Sequence, residues 1–184
     1  MDTDIDAPQR SDITYAAVFA GALGSAAVAL LFLGMDGFRG DILYTPSLLG
    51  SVLALGVSPS EVAPVRLDMV ALYSVLHLFA FTSVGAVASL VHAMPTREGR
   101  SLPALAGGIM AILGLGVVLT DAVLLPGIAQ NIGVVPLLLA NALAAAIMAW
   151  FIHTTLQQSG WGRLASTMAP APPVAGSSAI PVTP

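Results

Sequence analysis

Apolar residues run along this chain in four long, almost uncharged stretches, 13–33, 69–91, 102–125 and 134–152, separated by segments where proline, glycine and charge concentrate. The hydrocarbon core of a bilayer is about 30 Å thick, and an α-helix rising about 1.5 Å per residue crosses it in roughly 20 residues. Each stretch therefore predicts one transmembrane helix. Lipid offers backbone amides no partner, so a spanning segment must satisfy its own hydrogen bonds, which excludes irregular structure across the core. The expected fold class is all-α integral membrane, a bundle of four transmembrane helices filling residues 13–156.

The connections carry their own pattern. Between the first two stretches, Thr45 followed by Pro46 is a helix-start signal, with threonine as N-cap and proline at the first helical position. The helix it opens, 46–55, is too short to span. Its Leu48, Leu49, Val52 and Leu53 fall opposite Ser47, Gly50, Ser51 and Ala54, which predicts an amphipathic helix lying on the membrane surface or capping the bundle. Residues 94–103 form a short polar turn, so the second and third spans are expected to be antiparallel neighbours. Residues 157–184, with Pro170, Pro172, Pro173, Pro181 and Pro184 among small residues, cannot bury a core and are expected to be a disordered tail.

Composition strengthens the class assignment and removes several chemistries. Hydrophobic residues make up 57% of the 184, charged residues only 9%, and the mean hydropathy is +0.89, against roughly 25% charge in an average soluble domain. Cysteine is absent, which excludes disulfides, iron–sulfur clusters, thiolate metal sites and a cysteine nucleophile. A net charge of −4 argues against a nucleic-acid surface. All six basic residues are arginine, in a chain rich in alanine, glycine, leucine and valine, the composition of a GC-rich bacterial genome and hence of a bacterial inner-membrane protein.

Charge also sets orientation. The first twelve residues hold Asp2, Asp4, Asp6 and Asp12 against Arg10, which is not the basic start of a cleaved signal, so the first span is expected to be retained. With four spans, Arg10, Arg97, Arg100 and Arg163 share one side and Arg39 and Arg66 the other. The positive-inside rule then places both termini in the cytoplasm.

Polar groups within the spans point toward function, because a charged residue there costs roughly 2.5–3.5 kcal/mol on insertion scales. His77 and Asn141 lie about 5 Å, and Asp121 about 10 Å, from the midplane in the same half of the membrane. With Tyr73 one turn before His77, the four could converge on a pocket beneath the first loop. Such a cluster can move protons or hydrogen-bond a quinone carbonyl; the alternative is interhelical polar contact with no function beyond packing. His92 and His153 lie near the inner ends of the second and fourth spans, and with His77 they are the available ligands for a b-type haem, which takes two imidazoles on facing helices. No cofactor is otherwise expected. Small residues at four-residue spacing, Ala17, Gly21 and Ser25, then Gly85 and Ser89, then Gly108, Gly116 and Thr120, mark where helices approach closely.

The pattern Thr45-Pro46-x-x-Leu49-Gly50, followed by Tyr73-x-x-x-His77-x-x-Ala80-Phe81, resembles a group of small four-helix bacterial membrane proteins with no assigned activity. The resemblance covers the first half of the chain; it implies the same fold and draws attention to His77, and it transfers no catalytic residue. Nucleophile elbows, phosphate loops and clustered carboxylates are missing. The reading is therefore a non-enzymatic polytopic protein in contact with the lipid bilayer. It is expected to be an accessory or assembly subunit meeting other membrane proteins or further copies of itself. A haem- or quinone-binding redox subunit and a small-molecule or proton carrier are the alternatives.

Overall fold

The computed structural model of the chain describes residues 10–58, 64–94, 101–124 and 128–168. Among these described residues six α-helices follow one another: α1 (Arg10–Arg39), α2 (Tyr44–Leu55), α3 (Leu67–Ala93), α4 (Leu102–Leu119), α5 (Ile128–Ile132) and α6 (Val134–Met168). A single π-helical turn, Thr120–Leu124, continues α4. Four of these helices are long and apolar enough to cross a membrane, Arg10–Arg39, Leu67–Ala93, Leu102–Ala122 and Val134–Gln158. The protein is an all-α, multi-pass membrane bundle.

Inside lipid the hydrophobic effect does not drive helices together, so close packing of small residues takes over. α1 is the central helix, and it packs along α3 on one side and α6 on the other. A Cβ on Gly21 would collide with the Thr82 backbone, and one on Gly85 with the Ala17 carbonyl, so the first two predicted stripes mesh with each other. On α6, Ala140, Ala144, Met148, Ile152 and Leu156 repeat every four residues along a fully inward face, and Met148 lies where a side chain on Gly24 would fall. The third stripe does not pack: around Gly108 and Gly116 there is open space. α4 rests mainly on α6 and touches α3 only sparsely, with Leu105, Ile109 and Leu113 as its buried residues. The short 94–103 connection thus leaves its two helices adjacent in the chain and loosely paired in space.

The first loop departs from its expected register. α1 continues beyond residue 33 to Arg39, and its last turn holds Asp36 with no exposed surface. That carboxylate accepts the Thr45 backbone N–H on Oδ2 and the Thr45 hydroxyl on Oδ1, both at 2.7 Å. Thr45 is therefore inside α2 and held from across the loop, while the N-cap position falls to Leu43 at φ 75°. A left-handed residue that is not glycine costs roughly 1–2 kcal/mol, and the two bonds from Asp36 hold the chain there.

The buried face of α2 is rotated from the expected one: Leu48 and Val52 are buried as expected, but the small residues join them in place of Leu49 and Leu53. Thr45, Ser47, Leu48, Gly50, Ser51 and Val52 turn inward, whereas Leu53 is exposed and Leu49 half-buried. The reason is steric: a Cβ on Gly50 would run into the Met69 carbonyl, so only the small-residue face can approach α3 this closely. Ser47 adds a tie by accepting the Arg66 backbone N–H at 2.8 Å, just ahead of α3. At the other end of the chain, α6 remains helical through Met168, well past the predicted start of the tail at 157, and residues 169–184 lie outside the described residues.

Candidate functional site

Where the leucine face of α2 turns away from α3, it overhangs a cavity of about 490 Å³ between the long helices. Val28 and Phe32 of α1, Leu49 and Leu53 of α2, Ile112, Leu113 and Gly116 of α4, and Leu137 and Ala140 of α6 line it. Its polar groups are few: Tyr73 and His77 from α3, Thr120 from the π-helical turn, and Asn141 from α6. Among the described residues that line it, none is charged.

Helical spacing brings the first pair together. Tyr73 and His77 are four apart on α3 and so lie on one face; their rings stack at 5.3 Å with Phe81 a further turn on, 4.6 Å from the imidazole. The Tyr73 hydroxyl lies 3.4 Å from His77 Nδ1. At that distance the hydroxyl does not fix the tautomer of the ring; Nε2 is buried without a partner of good hydrogen-bond geometry among the described residues, and the backbone of Ser25 on α1 is a polar neighbour of the imidazole.

Both residues also line a second cavity of about 180 Å³ beneath the start of α2, with Ser25, Leu43, Thr45, Pro46 and Ser74. The Tyr73 and His77 side chains thus form a partition between the two spaces, and Asn141, 8% exposed, stands in the wall of the larger one.

Asp121 does not join them. Its Oδ1 accepts the Ala129 backbone N–H at 2.9 Å, which makes it the cap of the short helix α5, and the neighbouring Thr120 faces the cavity in its place. The π-helical turn shifts the register here, so a depth count along an ideal α-helix brings Asp121 to the right level and the wrong face. Three of the four expected residues therefore share one space. The sequence reading missed Asp36 and its grip on Thr45; the available signal was an acid one turn beyond an apolar run, followed nine residues later by a helix-start threonine.

The other two histidines meet at the far end of the bundle. His153 Nδ1 and His92 Nε2 are 3.4 Å apart, and the ring centroids 5.3 Å apart at 62°. A haem would have to stand between its two ligand imidazoles, and rings already in contact leave no slot for the macrocycle. The pair does not fit that group in this arrangement.

The site as a whole is an uncharged, mostly apolar chamber inside the membrane with a few directed hydrogen-bonding groups. Pockets for small apolar ligands have about 300–1,000 Å³ and this mixture of lining. Comparison of the chain with protein-family models, with curated proteins and with solved structures finds no match.

Proposed function

We propose that this protein is a non-enzymatic membrane subunit that binds a hydrophobic carbonyl-bearing molecule of the quinone class in the cavity beneath α2. The observation that carries the reading is the convergence of Tyr73, His77 and Asn141 on the wall of an otherwise apolar space of about 490 Å³. In this reading an apolar ring lies among Phe81, Leu49 and Leu53, and its carbonyls accept from the His77 and Asn141 side chains, all of which line the same space. The described lining residues carry no charge, which disfavours ions as cargo. The proton-carrier alternative loses its carboxylate, since Asp121 caps α5. The four-against-two distribution of arginines and the composition support a bacterial inner membrane with both termini cytoplasmic, where such molecules are dissolved in the same bilayer.

The test is calorimetric titration of the detergent-purified protein with a short-chain ubiquinone analogue. We expect saturable binding, weakened about 2- to 12-fold by His77→Leu through loss of one hydrogen bond of about 0.5–1.5 kcal/mol, with folded yield nearly unchanged. If His77→Leu instead lowers yield and melting temperature and leaves binding intact, the residue is a packing element and the reading fails.

A further inference from the structure

His92 and His153 account for the remaining two of the three histidines. His92 sits in the last turn of α3, and its neighbour on α6 comes within 3.4 Å, nitrogen to nitrogen. That separation is long for a hydrogen bond, in which an N–H donor sits about 2.7–3.2 Å from its acceptor. It is, however, the distance between two ligands of one metal ion: nitrogens each about 2.0–2.1 Å from a tetrahedral centre are about 3.3–3.4 Å apart. The rings cross at 62°, in a T-shaped arrangement that is not a face-to-face stack.

The surroundings fit the same chemistry. Gln157, one turn beyond His153, places its amide nitrogen 3.0 Å from His153 Nε2. Half a rotation of the carboxamide presents Oε1 there, which accepts the Nε2 proton and leaves the Nδ1 lone pair facing His92. Ligand histidines are commonly oriented by such an acceptor on the other ring nitrogen. The C-terminal carbonyls of α3, close to His92, also favour positive charge. Among the described residues no three of His, Asp and Glu are grouped to hold a metal, so these residues supply two ligands and leave two positions to water or a further donor.

We propose that His92 and His153 form a two-histidine binding site for a divalent first-row transition cation such as Zn²⁺, with Gln157 as the positioning residue for His153. It is independent of the cavity beneath α2.

The experiment is calorimetric titration of Zn²⁺ alone into the full chain in detergent, purified without a polyhistidine tag. One-to-one saturable binding is expected, reduced below detection by His92→Asn or His153→Asn, and weakened about 10-fold by Gln157→Leu, as loss of an outer-shell partner does. His153→Cys, which supplies a thiolate, should retain binding, and His77→Leu should leave it unchanged. Each variant is judged only where its metal-free melting temperature matches the parent, and Gln157→Leu, at an exposed position, keeps the test open if a histidine variant fails to fold. The absence of saturable binding by the parent would overturn the proposal, as would binding that survives His92→Asn or that His153→Cys abolishes.

Discussion

A carboxylate with no exposed surface normally destabilises a protein unless its oxygens are satisfied. Asp36 meets that condition through one residue, Thr45, which donates from both its backbone nitrogen and its hydroxyl at 2.7 Å. The pair joins the end of α1 to the first turn of α2 and fixes where the loop begins. Asp36→Asn keeps the shape and replaces one acceptor by an amide that cannot accept, so we expect a loss of about 1–3 kcal/mol of stability. Thr45→Val removes only the hydroxyl and should cost about 0.5–1.5 kcal/mol. Because the two residues share one interaction, the double variant should lose less than the sum of the single losses. Unfolding in detergent measures all three; strict additivity would show that the contact contributes nothing.

Among the elements, α2 has the most bearing on the site. It is bounded by left-handed residues, Leu43 at φ 75° and Gly56 at φ 64°, and held by its small-residue face against α3. That docking leaves Leu49 and Leu53 over the cavity. Gly50→Val would force α2 away from the Met69 backbone, and overpacking of this kind costs typically about 1–3 kcal/mol. It should also open the cavity, read as faster reaction of a cysteine placed at Leu53 with a thiol reagent. Gly85→Val, whose side chain would meet the Ala17 carbonyl, should be at least as damaging to the α1–α3 pair. Gly108→Ala is the contrast: it meets open space and should be neutral or slightly stabilising, since Ala is favoured over Gly in a helix by about 1 kcal/mol. Equal losses at all three positions would refute the assignment of the close contacts.

For the whole molecule, the remaining question is orientation, and the lack of cysteine makes it directly testable. If both termini are cytoplasmic, a cysteine introduced at Ser60 should react with an impermeant thiol reagent added to intact cells, while one at Thr96 should be protected until the membrane is broken. The opposite sidedness would reject the arginine-based assignment and with it the external position of α2. The same scale shows why α4 differs from its neighbours. Its contacts are concentrated on α6, and the groove between it and α3, lined by Val87, Val91, Leu105 and Ile112 among others, is apolar throughout.

The sequence by itself determined the class, the four spans, the presence of a short helix after the first span, and two of the three small-residue contact stripes. These follow from quantities that sequence carries locally: runs of apolar residues matched to bilayer thickness, and glycine where backbones touch. It also brought Tyr73, His77 and Asn141 into one space, because depth along a spanning helix is nearly a linear function of residue number. Only the tertiary structure decided which way side chains face. A single π-helical turn rotates Asp121 out of the cavity and Thr120 into it. The steric demand of Met69 against Gly50 rotates the buried face of α2, so that small residues join Leu48 and Val52 inside while Leu49 and Leu53 turn outward. Asp36 became structural only when a threonine nine residues away arrived to satisfy it, and His92 and His153 became a pair only when α3 and α6 brought residues 61 positions apart into contact. Rotation about a helix axis depends on packing partners, and no local pattern records where those partners stand.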